Sequence, residues 1–137
     1  MKYLKLFENI RSKKETAELL EDLFVEIFDK WEIKELPNDI DDEAEFFANL
    51  NTEDLYYSII PFYTTASKQH INKIVLMIQQ NILEKRSISK FNNMVMDCHP
   101  ILKRLTLYDI NFEWNTQSIQ NPYNFDRMKY FRVIVYP

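Results

Sequence analysis

The chain contains no glycine in 137 residues. At ordinary usage of about 7%, roughly nine or ten would be expected. This absence removes whole classes of chemistry. A phosphate-cradling Walker A loop and a dinucleotide fingerprint both need glycine where backbone must approach a phosphate. The glycine-flanked serine elbow and the glycine clamp of KH domains are excluded in the same way. Every turn must instead be built from Asn, Asp, Pro and Ser, and 12 Asn are available.

A core is nevertheless within reach. Hydrophobic residues make up 46% of the chain and aromatics 15%, so one domain spanning residues 1–137 can form without metal or disulfide staples. No apolar run approaches the ~18 residues of a membrane helix, and no membrane partner is expected. The opening MKYLKLFENIRSKKE has neither an apolar h-region nor a small-residue cleavage site. The single cysteine, Cys98, permits no intrachain disulfide. A reducing, cytoplasmic setting is the expectation.

The fold class expected is α+β: three main helices on one face of an antiparallel sheet of three or four strands, ending in a β-hairpin. Ser12 and Glu15 form a capping box ahead of Leu20, Leu23, Phe24, Ile27, Phe28 and Trp31, an amphipathic helical stripe. Trp31–Leu36 reads as a weak strand or a frayed helix end. A short helix follows Asp42, packing Phe46, Phe47 and Leu50. Leu55–Tyr63 reads as an edge strand, or as a strand ending near Pro61. Ile71, Ile74, Val75, Ile78 and Ile82 predict a second main helix, with Leu76, Met77 and Leu83 making it the most buried one. The third, capped by Ser87 or Ser89, carries Phe91, Met94, Val95, Cys98, Leu102 and Leu105, with Pro100 kinking or restarting it. In the hairpin, Tyr108–Trp114 alternates, residues 115–127 form a long loop, and Met128–Tyr136 is apolar on both faces. Such a strand is central and covered on both sides, or it lies at a subunit interface, so a homodimer is a candidate assembly.

Reactive groups are few. Asp97-Cys98-His99 is the one place where nucleophile-type and base-type residues meet. Adjacent helical residues point about 100° apart, and Cys98 falls in the apolar register, which favours a buried structural thiol. His70 and His99 with Cys98 have no zinc-ligand spacing. A calcium loop drawn from Asp39 fails at its sixth residue, Ala44, and its twelfth, Leu50. No catalytic residue, metal or cofactor is therefore assigned.

Charge is uneven. Residues 1–63 hold 16 acidic against seven basic side chains, and residues 64–137 hold five against ten. Lys85, Arg86, Lys90, Arg127, Lys129 and Arg132, with Tyr123 and Phe125, are the candidate contacts to a partner or to single-stranded nucleic acid, which is held by cations and aromatic stacking. The opening MKYLKLFE and the Ile/Asn/Lys/Phe/Tyr-rich style resemble small uncharacterised proteins of marine tailed bacteriophages. That resemblance implies a host-interaction or accessory role and carries over no site residue. The function expected is a non-enzymatic binding or accessory protein acting through protein–protein contacts. The alternative is single-stranded nucleic-acid binding through the basic C-terminal half.

Overall fold

The computed structural model describes residues 13–37, 54–64, 71–82, 89–120 and 127–136. Their order is helix α1 (Lys13–Lys30), strands β1 (Lys34–Glu35), β2 (Leu55–Thr64) and β3 (Ile71–Ile82), helix α2 (Ser89–Leu107), and strands β4 (Asn111–Gln120) and β5 (Arg127–Tyr136). The expected α+β class is correct. The five strands lie in the order β1-β2-β3-β5-β4. The four long strands pair antiparallel, whereas β1 pairs parallel with β2 through Lys34–Tyr56 and Glu35–Tyr57, so the sheet is mixed rather than antiparallel.

α1 forms as its stripe predicts: Leu20, Phe24, Ile27 and Phe28 are buried. Its end shows how a chain without glycine stops a helix. Glu32 takes the left-handed conformation (φ 51°). The Ile33 amide donates to the Phe28 carbonyl at 2.8 Å, and the Glu32 amide to Asp29 at 3.4 Å. This is a Schellman closure with glutamate in the glycine position, sealed by buried Ile33 and Phe28. α2 ends similarly, with Asp109 at φ 55°. α2 also runs through Pro100 without a break. Proline leaves the Met96 carbonyl without its helical donor, and Met96 is exposed, so water can take that place.

The largest correction concerns residues 71–82, expected as a helix and found as β3, the central strand. Both periodicities are satisfied by the run Ile74–Ile78, which is apolar throughout. Burial settles on the period of two: Ile74, Leu76 and Ile78 are fully buried, while Lys73, Val75 and Met77 are half-buried. The β-branched Ile and Val content favours a strand, and helical spacing alone could not reveal that neighbours stood ready on both sides. Two of the three expected main helices therefore exist among the described residues. The short helix expected after Asp42 lies outside them.

The other strands shift at their ends. β2 continues through Pro61 to Thr64. Among the described residues its outer neighbour pairs only at Tyr56 and Tyr57, so Pro61 sits on an edge, where a missing donor is tolerated. β4 begins at Asn111, because Tyr108 and Asp109 belong to the turn closing α2, and it extends to Gln120 through residues expected in the loop. β5 has the expected span to within one residue and is an interior strand between β3 and β4, but it is not sealed on both faces: Phe131, Val133 and Val135 are buried, whereas Tyr130, Ile134 and Tyr136 are half-buried.

Register places one set of side chains under both helices. Ile74, Leu76 and Ile78 stand beside Val135, Val133 and Phe131. With the buried stripes of α1 and α2 they form one core cluster. Leu55 joins it, and Tyr57 stacks on Phe28 at 3.9 Å between ring centroids. No described helix is long and apolar enough to cross a membrane.

Replacing Glu32 by glycine removes the left-handed penalty at little other cost. Glu32→Gly is expected to raise unfolding free energy by about 1 kcal/mol, seen as a melting temperature higher by about 3–5 °C in a thermal scan. No gain, or a loss, would show that the closure is not strained.

Candidate functional site

The three consecutive residues that looked most like chemistry go separate ways. The Asp97 carboxylate accepts a hydrogen bond from Trp31 Nε1 at 3.0 Å and pairs with Lys30 Nζ at 2.8 Å. Lys30 first, and Trp31 second, hold its carboxyl below the ordinary carboxylate range. Its work is to tie the end of α1 to the middle of α2. Cys98 is fully buried, with Sγ 3.7 Å from Met94 Sδ. Burial, helped by the Asp97 charge, pushes its thiol up to about 12, so it holds no useful thiolate at neutral pH. His99 turns to solvent and meets the edge of the Trp114 ring at 5.3 Å. Nucleophile and imidazole do not face each other. Among the described residues no three His, Cys, Asp or Glu side chains gather as metal ligands. His70 and the acidic stretch 38–45 lie outside them.

The candidate basic contacts divide in the same way. Lys85, Arg86, Tyr123 and Phe125 lie outside the described residues. Lys90 is exposed in the first turn of α2. Alternation along β5 puts Arg127 and Lys129 on the helix-bearing face and Arg132 on the other. Arg127 Nη1 donates to Ser118 Oγ at 3.4 Å. Arg132 donates to Gln117 Oε1 and lies over the Tyr130 ring at 5.9 Å. Burial raises the Tyr130 phenol above its ordinary value, and Arg132 partly opposes that.

What the structure does gather is apolar surface along one margin. Among the described residues β4 is an edge strand, and eight of its ten residues are exposed. Trp114 rests against Phe131 (6.0 Å between centroids) yet stays 42% exposed. Met96 on α2 is 66% exposed, and Ile119, on the opposite face of β4 from Trp114, 46%. Leu107, the last residue of α2, and Tyr108 after it are exposed too. The other exposed large hydrophobics among the described residues, Val25 and Ile60, lie elsewhere. Between α2 and β4 runs an open groove of about 530 Å³, lined by Phe91, Val95, Met96, Trp114, Ser118 and Lys129 among others.

Sequence reasoning missed most of this margin. It sought apolar alternation in residues 115–120, and an edge strand with little beneath it to bury has none. The legible signal was different: residues 115–120 contain no proline, and the first turn dipeptide is Asn121-Pro122.

No family model matches this chain, and no curated protein matches it well enough to stand as a relative.

Two outcomes follow from the geometry of residues 97 and 98. In the native protein at pH 8, Cys98 should react with a thiol reagent at least about 100-fold more slowly than in the unfolded chain; equal rates would refute its burial. The folded thiol titrates near 12 against an ordinary 9.0, so its contribution to stability is complete below about pH 9 and falls as pH rises towards 12. Denaturant midpoints measured across that range should fall for the native sequence more steeply than for Cys98→Ala. For Asp97 the sign is opposite: its contribution is present at neutral pH and lost only as acid protonates it, below the ordinary carboxylate range. Asp97→Ala should therefore lower the melting temperature at pH 7 and converge on the native protein in strong acid.

Proposed function

We propose that this is a non-enzymatic binding protein that works through protein–protein contacts, and that its docking surface is the α2–β4 margin. The observation that carries the reading is the coincidence of a sheet edge that is open among the described residues with Met96 and Trp114 exposed on its helix-bearing face and Ile119 exposed on the other. Apolar side chains scattered singly over a surface need no explanation; a cluster along an edge strand marks a place where other protein binds. An unpaired edge offers a ladder of backbone donors and acceptors to an extended segment, and flanking pockets then select its side chains. The α2–β4 groove supplies such a pocket, with Trp114 as an aromatic anchor of the kind that dominates binding energy. An accessory role, as implied by the phage-like opening, fits a protein that acts by occupancy rather than turnover.

The single-stranded nucleic-acid reading retains one supporting observation, Lys129 beside Trp114 in one groove. It requires a salt-dependent shift of oligonucleotides at about 50 mM salt, lost in Trp114→Ala.

A photo-crosslinking amino acid placed at Ile119, in cells that make the protein, tests the docking reading. Irradiation should give protein adducts at Ile119 that the same group at Val25, on the exposed face of α1, does not give. Equal yields at both positions, or none at Ile119, would overturn it.

A further inference from the structure

We propose that the partner on this edge is a second copy of the chain, paired β4 to β4 in antiparallel fashion across a twofold axis normal to the sheet. The inference rests on the docking reading above and names its occupant.

Three observations carry it. First, β4 lacks the devices by which sheets protect an edge. Its ten residues, NFEWNTQSIQ, hold no lysine and no proline. Its register with β5 runs from Asn111–Tyr136 to Gln120–Arg127 without a bulge. An edge this long and regular is a template for another strand.

Second, the strand is complementary to itself. A twofold axis normal to the sheet requires opposed residues to share a face, so their numbers share parity. With the axis at Thr116, Asn115 stands opposite Gln117 of the partner subunit, Trp114 opposite Ser118, and Glu113 opposite Ile119. The only charge in the strand, Glu113, meets no like charge. Asn115 Oδ1 is buried without a hydrogen-bond partner among the described residues. Its cross-strand neighbour Arg132 has an equally unpartnered Nε; Gln117 accepts from Arg132 through Oε1 and keeps its amide nitrogen as a donor for a facing strand.

Third, the area suits a modest dimer. A ten-residue strand is about 34 Å long and a sheet about 10 Å thick, so backbone pairing seals roughly 340 Å² per copy. A stable interface needs about 800 Å² per partner. The strip falls short of that, so the dimer is weak and its assembly depends on concentration.

Sedimentation of the full chain from about 1 μM to about 1 mM should show a monomer–dimer equilibrium. Asn115→Lys/Thr116→Lys, which sets like charges across the axis, should weaken it at least about tenfold while leaving the thermal melt intact. Thr116→Cys should cross-link to itself under mild oxidation, since directly opposed residues lie about 5 Å apart, within disulfide reach. Val25→Cys should not, and buried Cys98 contributes no background. A chain monomeric at about 1 mM, or a dimer that cross-links through Val25 or Asn115→Cys in preference to Thr116→Cys, would overturn the proposal. Adducts of twice the chain mass at Ile119 support both readings. Adducts with other proteins from a monomeric chain leave the docking reading standing and remove this one.

Discussion

The packing of β3 against β5 beneath the two helices is the contact on which the rest of this structure depends. Ile74, Leu76 and Ile78 lie beside Val135, Val133 and Phe131, and all six are shielded from water completely. Fully burying such side chains stabilises by about 1.5–3 kcal/mol each, against a conformational entropy that nearly cancels the total. The two helices take their positions from this strip: Leu20, Phe24, Phe91, Met94 and Leu105 join the same cluster. A polar link then sets one helix against the other, since Asp97 on α2 holds Trp31 and Lys30 at the end of α1.

The missing glycine shapes the molecule at its turns rather than in its core. Two helix ends need a left-handed residue, and the chain uses Glu32 and Asp109. Aspartate is tolerated there because its short polar side chain bonds locally; glutamate is less suited. The same absence removes the loops with which backbone usually grips phosphate, while burial removes the one thiol from reach. The described surface is uneven. The helix-bearing face is sealed at β3 and β5 and opens towards β4, where Trp114 and the groove beside α2 lie.

Legibility in the sequence followed burial. α1 and α2 could be read because their apolar residues recur with one period and face one core, and β5 because it is rich in β-branched and aromatic side chains. β3 could not, because five consecutive apolar residues satisfy helical and strand spacing alike, and only the presence of β2 and β5 on either side decides between them. The second half of β4 could not, for the opposite reason: its side chains face solvent, so no hydrophobic pattern records its conformation. The candidate surface suffered the same fate, since Trp114 looks in sequence like a core residue at a regular position yet is 42% exposed. The basic residues were visible, but Arg127 and Lys129 part from Arg132 through strand alternation, which operates only once β5 has paired.

The sequence by itself determined the α+β class, the two helical stripes, the doubly apolar last strand, and the lack of any glycine-based phosphate loop, because these follow from composition and local periodicity. The tertiary structure alone decided that residues 71–82 form the central strand and that, among the described residues, β4 lies at the margin with its edge open. Those outcomes depend on which segments become neighbours, and hydrogen bonds between strands join residues far apart in the chain, where no local pattern can record them.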